Sequence, residues 1–381
     1  MEQLKYFMQQ LLIISGSSFL LTFLVFPIFI KLMKRKNFLD DPGGRKIHTV
    51  QTPAMGGLPI FLSLIVSLLL WSSFEVLRDS KFILGAISIM FVIGFRDDLI
   101  NLKAIQKLLG QIAAAMIIIG VCDIRLTSFY GLFGIGEIHW ILSYLISLFT
   151  IIVITNAFNL IDGIDGLSGA VGLIVSVFFG AWFFLNNQLG LAFIALALTG
   201  SLIAFLNFNW APSKVFMGDT GSLFIGFFLS IAAIAFIDLN YSLEENEYTF
   251  KGAIGTALAV LIIPLADTLR VFVKRVSRGK SPMHPDRTHT HHILLRLGCN
   301  HAQAAGILIT VNIIFVLLAM VLRNLPDSIV ISVIVLTALA LSTILDSIFR
   351  SAIEKRKEEL REANRRGKVE GKVVSMDKSA S

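Results

Sequence analysis

Long apolar segments separated by short polar stretches dominate this 381-residue chain. A helix needs about twenty residues, each rising about 1.5 Å, to cross the hydrocarbon core of a bilayer. Two shorter segments, Phe82–Phe95 and Leu108–Cys122, are accepted as spans because the loops on either side of each must change sides. The nine clearer candidates are Leu11–Ile30, Met55–Phe74, Trp140–Thr155, Leu167–Leu185, Leu191–Phe208, Leu223–Ile237, Gly252–Val273, Ala304–Leu322 and Ile329–Leu345.

The composition agrees with lipid as the surrounding solvent. Only 15% of the residues are charged, against about a quarter in soluble domains, and the mean hydropathy is +0.77. Helices satisfy their backbone hydrogen bonds internally, and the segments lack the alternating pattern of a membrane barrel. The sequence therefore predicts an all-α, polytopic transmembrane helical bundle of about 11 helices rather than two soluble domains.

Basic residues predict the orientation of the bundle. They concentrate after the first, third and ninth spans, whereas the intervening loops are poor in Lys and Arg. Because cytoplasmic loops are enriched in Lys and Arg, we expect the N-terminus outside and the C-terminus in the cytoplasm. The net charge of +7 is expected to face anionic membrane lipid, with no nucleic acid as partner. Residues 1–350 are predicted to form the transmembrane domain with cytoplasmic active-site loops, and residues 351–381 a charged cytoplasmic tail.

Two adjacent carboxylates, Asp97 and Asp98, lie at the end of the third predicted span. Neighbouring carboxylates repel each other, and they persist where a cation or a transferable proton offsets that repulsion. The alternative is a solvated helix end whose acids pair with Arg96 or Lys103. The dipeptide alone leaves both interpretations open.

The sequence NAFNLIDGIDGLSG follows the fifth span and presents Asn156, Asn159, Asp162 and Asp165 at three-residue steps. Hard cations such as Mg²⁺ take oxygen ligands, commonly one or two carboxylates together with phosphate and water. The alternative is a chain of Asx turns that caps the next helix, a position that Asp165 fits. A cap accounts for one residue of the four, so the pattern favours a ligand-binding turn.

Asp219 stands between Gly218 and Gly221, immediately before an apolar helix. The N-terminus of a helix offers unpaired N–H groups to an anion, and an aspartate there could hold a metal ion that bridges to a phosphate. An Asp N-cap in a tight turn is the alternative.

Four of the seven histidines fall within nine residues of SPMHPDRTHTHH. Zinc binding is one interpretation, but apart from Asp286 no cysteine or acidic residue lies at the spacing of zinc ligands. The second is phosphate recognition by imidazoles and a guanidinium group. This density of histidines disfavours an ordinary polar loop. The residues concerned are His284, Arg287, His289, His291 and His292.

Two further positions are polar and near a predicted membrane face. Arg45, with Lys46 and His48, precedes a Gly-rich helix start and could bind a lipid headgroup, bind a lipid phosphate, or serve as a positive-inside anchor. Asp267 lies one helical turn from Arg270 and could pair with it.

In the predicted topology all five polar motifs lie at helix ends on the cytoplasmic side, while the spans between them are nearly free of charge. From about Asp40 to Gly298, in this order, they resemble the polyprenyl-phosphate N-acetylhexosamine-1-phosphate transferases. That superfamily includes the WecA/TagO-type enzymes, the MraY-type enzymes of peptidoglycan synthesis and the eukaryotic dolichyl-phosphate enzyme. The resemblance implies ten or eleven transmembrane helices with a cytoplasmic cleft, located in a bacterial cytoplasmic (inner) membrane. It also implies a reaction that needs Mg²⁺, with Mn²⁺ as the alternative ion.

The resemblance also assigns residues. Asp97 and Asp98 match an aspartate pair near the acceptor phosphate, and Asp162 and Asp165 match the acidic pair of the next loop, so these four are the expected catalytic residues. Asp219 matches the aspartate that ligates Mg²⁺. The expected substrate-binding residues are Lys107, Asn159, Arg287, His289, His291 and His292 by motif, with Arg45 and His48 from their charge and position.

The loop DRTHTHH is similar to the HxHH pattern of the WecA/TagO branch, whereas the MraY branch usually shows three consecutive histidines. The expected reaction is transfer of GlcNAc-1-phosphate from UDP-GlcNAc to undecaprenyl phosphate. It would be the first membrane step of a cell-envelope polysaccharide of the O-antigen, enterobacterial common antigen or teichoic-acid type. The alternatives are a phospho-N-acetylmuramoyl-pentapeptide transferase and, in a different class, a lipid or sugar transporter. A homodimer is left open.

Overall fold

The computed structural model describes residues 2–36, 39–40, 52–277, 279, 281 and 289–377, and this part of the chain is almost entirely helical. A two-residue antiparallel ribbon joins β1 (Leu39–Asp40) to β2 (Thr52–Pro53), and a 3₁₀ turn covers Leu132–Gly134. The helices are α1 Glu2–Arg35, α2 Gly57–Trp71, α3 Phe74–Ile100, α4 Ala104–Gly120, α5 Trp140–Ile161, α6 Leu167–Leu185, α7 Leu189–Asn209, α8 Gly218–Ser242, α9 Ala253–Val260, α10 Ile262–Val276, α11 Thr290–Arg296, α12 His301–Val321 and α13 Asp327–Asp377.

The expectation of an all-α polytopic membrane protein is confirmed, because each predicted apolar segment is helical, the ninth as a pair of helices. Among the described residues, seven helices are long and apolar enough to cross a membrane, or eight when α9 and α10 count as one bent span. The apolar helices α2 and α4 are shorter, and α3 carries charges towards both of its ends. The count of eleven spans and the orientation of the termini stay predictions.

Helix α3 extends well beyond the apolar segment that predicted it. Its N-terminus is capped by Ser73, whose hydroxyl accepts the Val76 N–H, and it ends at Asn101, which has a φ of +49°. Asparagine tolerates this left-handed conformation better than most residues. The 27 residues span about 40 Å, so α3 is long enough to cross a bilayer although its central apolar stretch is short.

The predicted ninth span is not one straight helix, because α9 and α10 meet at an angle of 80°. Pro264 lies in the first turn of α10 and has no N–H to donate to the carbonyl of Val260, four residues earlier. The side chain of Asn312, on α12, donates to that carbonyl at 3.0 Å instead. The bend therefore follows from a proline whose missing hydrogen bond is supplied by a neighbouring helix.

Helix α8 forms the centre of the bundle, and most of its length is buried. Its principal neighbours are α3 and α5. Phe224 of α8 packs edge-on against Phe61 and Phe91, whose rings are stacked 3.9 Å apart. Such aromatic contacts favour one helix arrangement, and they fix the position of the N-terminus of α8.

A second polar cluster lies at the opposite end of α8. Asp238 accepts hydrogen bonds from the hydroxyls of Thr127 at 2.6 Å and Tyr130 at 2.7 Å. Tyr241 donates to Asp327, which also accepts the Gly255 N–H at 2.9 Å. These contacts tie the loop after α4 and the start of α13 to the central helix, far from its N-terminus.

The predicted boundary after residue 350 falls inside α13, which continues as one helix to Asp377. Its 51 residues span about 76 Å, more than twice the thickness of a hydrocarbon core of about 30 Å. The division into a membrane domain and a charged tail stays a prediction about the environment of the two parts.

Candidate active site

The N-terminus of α8 is capped by a side chain from another helix. Asp98, near the end of α3, accepts the N–H groups of Asp219 at 3.0 Å and Thr220 at 2.8 Å, together with the Thr220 hydroxyl at 2.5 Å. These are N–H groups that an α-helix cannot satisfy internally. Asp219 is thus a residue of the first turn and not the N-cap, which leaves its carboxylate available for other contacts.

Gly218 is required where α8 begins. Its φ is +71°, and a Cβ at this position would lie 2.6 Å from Oδ2 of Asp98 and 2.9 Å from the backbone nitrogen of Met55. Both the backbone conformation and the close approach exclude a side chain. The glycine before Asp219 therefore permits the cap by Asp98.

Lys107 joins two of the predicted acids. Its ammonium group lies 2.7 Å from Oδ2 of Asp219 and forms a closer ion pair with Asp97. The other oxygen of Asp97 accepts the Leu102 N–H at 2.6 Å. The alternative in which Asp97 pairs with Arg96 or Lys103 is wrong, because its partner is Lys107 from the next helix.

Asn159 completes the surroundings of Asp219. Its amide nitrogen donates to Oδ1 of Asp219 at 2.7 Å and to the Ser222 hydroxyl at 2.8 Å. Oδ1 of Asp219 accepts from Asn159 and Oδ2 accepts from Lys107, and the Asp97 carboxyl also lies within hydrogen-bonding reach of Asp219. An ionised carboxylate offers about four acceptor positions, so Asp219 retains capacity for a further ligand.

Asp162 stands one residue beyond the end of α5 and faces the same cluster. It accepts a 2.6 Å hydrogen bond from Ser168 and a further one from the N–H of Gly218. Burial raises the pKa of Asp162 to about 7; the charges of Asp219 and Asp98 add to the rise, and the Ser168 hydrogen bond opposes it. An acid with this pKa exchanges a proton near neutral pH.

Asp165 does not cap α6, contrary to the alternative considered from sequence, because the N-cap is Gly166 and no side-chain cap is present. Its carboxylate accepts the N–H and hydroxyl of Ser213 at 3.1 and 3.0 Å and lies 3.5 Å from Nδ1 of His301. Burial alone would raise the pKa of Asp165, but hydrogen bonds from His301 and Ser213 hold it below its usual value. Asp165 therefore carries a stable negative charge.

The three described histidines of the histidine-rich segment form a compact group. The His291 ring lies 4.3 Å from the His292 ring and 5.7 Å from the nearly parallel His289 ring. Burial, reinforced by the charge of His292, lowers the pKa of His291 to about 3. His291 is therefore neutral near pH 7 and can interact with a phosphate only as a neutral hydrogen-bonding group.

The histidine group meets the loop that carries Asp162 and Asp165. A Cβ at Gly163 would lie 2.5 Å from Nε2 of His291, so the imidazole packs directly on the backbone of this loop. Four of the five motifs, which lie far apart in the sequence, thus converge on one region around α8. The signal that predicted this convergence was the position of each motif at a helix end on one side of the predicted topology.

Asp267 was the residue that sequence reasoning underestimated. It accepts from Nδ1 of His289 at 2.7 Å and from the Thr290 N–H at 2.6 Å, whereas the Arg270 guanidinium with which it was paired lies 4.0 Å away. One signal was present in the sequence, since an acidic residue inside an apolar span is costly unless it has partners. Thr220, Ser213 and His301 also contact the predicted acids, and no pattern in the sequence singled them out.

The basic residues Arg45, His48 and Arg287 lie outside the described residues. The segment after residue 51 is described, and it packs on the start of α8. Phe216 donates its N–H to the carbonyl of Pro53, and Gly56 donates its own to the carbonyl of Phe216, both at 2.8 Å. The Gly-rich helix start thus adjoins the Asp219 turn.

Four carboxylates, Asp97, Asp98, Asp162 and Asp219, lie in this cluster, and the Lys107 ammonium group pairs with two of them, Asp97 and Asp219. In the part of the chain that is described, no group of three or more His, Cys, Asp or Glu residues could hold a metal ion by itself. Mg²⁺ is commonly bound by only one or two carboxylates, with water and substrate phosphates as its other ligands. The excess of negative oxygen donors fits a divalent cation of this kind.

An apolar cavity of about 200 Å³ adjoins the histidine group. Asp267, Arg270, Thr290 and His291 line one part of it. Most of the rest is lined by apolar side chains of α10, α12 and α13, among them Ile263, Leu308, Ala338 and Leu345. The cavity therefore offers an apolar space that is continuous with charged and polar groups.

Replacing Gly163 by Ala tests the contact between the two halves of the site. We expect a loss of about 1–3 kcal/mol in the free energy of unfolding, because a new Cβ would overlap the buried His291 ring. Gly306→Ala on α12 is the matched control, since no atom lies within 4 Å of its added Cβ. Thermal unfolding of the detergent-solubilised variants measures both, and equal stability of the two would contradict the packing described.

Comparison with known proteins shows what the sequence is similar to. Glycosyl transferase family 4 matches residues 81–237. The undecaprenyl-phosphate alpha-N-acetylglucosaminyl 1-phosphate transferase of Thermotoga maritima is 31% identical, over 73% of this chain and 79% of its own length. The decaprenyl-phosphate N-acetylglucosaminephosphotransferase of Mycolicibacterium smegmatis is 30% identical, over 69% and 70%.

A third relative covers more of the chain. The probable undecaprenyl-phosphate N-acetylglucosaminyl 1-phosphate transferase of Bacillus subtilis is 28% identical over 81% of this chain and 83% of its own. The family match covers α3 to α8, which carry the acidic cluster, and the relatives extend beyond it. The chain therefore belongs to glycosyl transferase family 4, the superfamily of polyprenyl-phosphate N-acetylhexosamine-1-phosphate transferases.

Proposed function

We propose that this chain transfers GlcNAc-1-phosphate from UDP-GlcNAc to undecaprenyl phosphate, giving undecaprenyl-diphospho-GlcNAc and UMP. The observation that carries the proposal is the convergence of Asp97, Lys107, Asn159 and Asp219 in one cluster that adjoins a group of histidines. With a divalent cation bound, such a site would neutralise phosphate charge and position phosphate groups, which is what phosphoryl transfer requires. The names of the three relatives support the GlcNAc donor and the polyprenyl acceptor.

The reaction is a displacement at phosphorus. An oxygen of the polyprenyl phosphate attacks the β-phosphorus of UDP-GlcNAc and forms a new P–O bond. The bond from that phosphorus to the oxygen shared with the α-phosphate breaks, and UMP leaves with this oxygen. Because the acceptor phosphate is already largely ionised near neutral pH, the site must mainly hold the two phosphates in line.

Mg²⁺, or Mn²⁺ in its place, is proposed as the cofactor. Asp219 would hold it, since this carboxylate has unused acceptor positions and lies in the most acidic part of the described site. Bound there, the ion would neutralise charge that develops on the diphosphate of the donor. The ammonium group of Lys107 lies between Asp219 and Asp97 and is placed to attract the acceptor phosphate.

The acids are proposed to differ in task. Asp98 holds the start of α8 and thereby places Asp219. Asp97 beside Lys107, and Asp162 with its raised pKa, can take up a residual proton from the acceptor phosphate. The histidine group, together with Arg287, is proposed to bind the diphosphate and sugar of the donor, while Arg45 and His48 meet the lipid phosphate.

The apolar cavity beside the histidine group is proposed to hold the first isoprene units of the acceptor. Its apolar lining comes mainly from α10, α12 and α13, and Asp267, Arg270, Thr290 and His291 line the part that adjoins the histidine group. The lipid tail must stay in an apolar environment while its phosphate reaches a soluble nucleotide. A cavity that joins the two environments satisfies both requirements.

The site is proposed to lie on the cytoplasmic face of a bacterial inner membrane, because nucleotide sugars are made in the cytoplasm. The excess of Lys and Arg in the loops that carry the motifs supports this orientation. The product would be the first lipid-linked intermediate of a cell-envelope polysaccharide such as O-antigen, enterobacterial common antigen or a teichoic acid.

UMP release by the purified protein tests the proposed reaction. We expect UMP from UDP-GlcNAc only when undecaprenyl phosphate and Mg²⁺ are both present, and loss of activity on chelation with recovery on adding Mg²⁺ back. A panel of UDP-sugars that includes UDP-N-acetylmuramoyl-pentapeptide identifies the donor. Movement of lipid or sugar across vesicles without UMP release would instead indicate a transporter.

The role of Asp219 is tested by Asp219→Asn, which keeps the size of the side chain and removes its charge. We expect turnover to fall by about 10³-fold or more, equivalent to about 4 kcal/mol, because a metal ion and Lys107 both lose their anionic partner. Asp238→Asn is the matched control on the same helix, about 28 Å further along it. Near-normal turnover of Asp219→Asn at saturating Mg²⁺ would refute the metal assignment.

Filling the apolar cavity tests the acceptor site. We expect Ala338→Phe to raise KM for undecaprenyl phosphate by about 10-fold while leaving KM for UDP-GlcNAc unchanged, because its ring would occupy space needed by the lipid. Ala340→Phe, two residues away on the exposed surface of α13, is the matched control. Steady-state kinetics in detergent micelles with each substrate varied separates the two constants, and equal effects of both variants would contradict the assignment.

A further inference from the structure

Asp267 is an acidic residue buried in the apolar first half of α10, and its contacts lead to the histidine group. Its side chain is 5% exposed. It accepts hydrogen bonds from His289 at 2.7 Å, from the Thr290 N–H at 2.6 Å and from the Thr290 hydroxyl at 2.5 Å. Three donors and the nearby Arg270 guanidinium favour the ionised form of the carboxylate over the neutral form. Asp267 is thus a charged group whose hydrogen-bond donors come from the segment that begins at residue 289.

The contact with His289 determines where that imidazole carries its hydrogen. An ionised carboxylate has no hydrogen to donate, so Nδ1 of His289 must be the donor in this pair. In a neutral imidazole the other nitrogen, Nε2, then carries the lone pair and can accept a proton or a hydrogen bond. A carboxylate on one ring nitrogen is a general way to fix the tautomer and orientation of a histidine that acts through its other nitrogen.

The contact with Thr290 fixes the backbone at the same point. His289 is the N-cap residue of α11, and no hydrogen bond from its side chain to the start of that helix is present. Asp267 accepts the N–H of Thr290, the first residue of α11, which the helix itself cannot satisfy. One carboxylate therefore orients both the ring of His289 and the first turn of the helix that carries His291 and His292.

Asp267 is itself held in place from the other side. Asp346, on α13, accepts from Arg270 at 3.2 Å and from Lys274 at 2.6 Å. The side chain of Arg270 is buried and lies between Asp267 and Asp346. This alternation of opposite charges fixes α10 against α13 and limits the movement of the Asp267 carboxylate.

We propose that Asp267 is a positioning residue of the reaction, which holds His289 with Nδ1–H towards α10 and Nε2 towards the donor diphosphate. This inference rests on the proposed function, since it assigns Asp267 to the donor half of that site. The rival interpretation is that Asp267 only stabilises the fold, as a buried acid among hydrogen-bond donors. The two interpretations differ in whether the effect of Asp267 passes through His289.

A double-mutant cycle distinguishes them. We expect Asp267→Asn to lower kcat/KM for UDP-GlcNAc by about 10²-fold or more, because an amide can stabilise the wrong tautomer. His289→Gln should cost a similar factor, and the double variant should lose no more than about 3-fold beyond His289→Gln alone. Asp267→Glu, which restores a carboxylate, should recover at least about 10-fold over Asp267→Asn.

Asp327 supplies the matched control, because it is equally buried and also accepts an N–H group at a helix start, near the far end of α8. We expect the effects of Asp327→Asn and His289→Gln to add without coupling. Losses that also add for Asp267→Asn and His289→Gln, or an Asp267→Asn variant as active as the unsubstituted protein, would overturn the proposal.

A measurement on the unsubstituted protein is independent of whether these variants fold. The ¹⁵N chemical shifts of the His289 ring, assigned by comparison with His289→Gln, should report a hydrogen on Nδ1. A ring with its hydrogen on Nε2 alone would refute the positioning role. If the unsubstituted protein releases no UMP while the ring carries hydrogen on Nδ1, the proposed function fails and the geometry of this contact stands.

Discussion

The hydrogen bonds from the start of α8 to Asp98 are the interaction on which the site depends. They join the end of α3 to the first turn of the central helix, so the residue after Gly218 has one defined position. Asp219 then meets Lys107 from α4 and Asn159 from α5. Without this cap, the N–H groups at the start of α8 would lack partners. Asp219 would then have no fixed position relative to Lys107 and Asn159.

Hydropathy predicted the approximate bounds of the apolar helices, because a lipid environment leaves long uncharged segments in the sequence. It did not predict the bend between α9 and α10. Pro264 is visible in the sequence, but a proline is also common in the first turn of an ordinary helix, so its presence alone does not predict a bend. The decisive partner, Asn312, lies 52 residues from Val260 and reaches it only through the fold. Helix α3 was underestimated for the opposite reason, because its polar ends are helical although they are not apolar.

The sequence predicted which residue types gather at the site, and the described ones do gather. It could not divide the tasks within that set. Asp97 and Asp98 are adjacent and were treated as a pair, but one forms an ion pair with Lys107 and the other caps α8. Asp165 was a plausible cap and instead binds Ser213. Asp267 was assigned to Arg270 because the two are neighbours on one helix, while its closest partners come from a segment more than twenty residues away. Local spacing reports local pairs, and each of these differences arises from a contact across helices.

The bend at Leu261 has a consequence for the order in which the protein assembles. The carbonyl of Val260 finds its donor on α12, and α12 leaves the ribosome after α9 and α10. Because Pro264 has no N–H, a helical donor is missing whether the segment is bent or straight, so until α12 has entered the bilayer this carbonyl lacks a partner and the bend is not yet fixed. The residues of the acidic cluster all precede Leu261 in the chain. The histidine group follows α10, whose direction is fixed only when α12 is in place. We therefore expect the site to be completed only after nearly the whole bundle is inserted, so that a chain truncated before α12 would lack a fixed position for its histidine group.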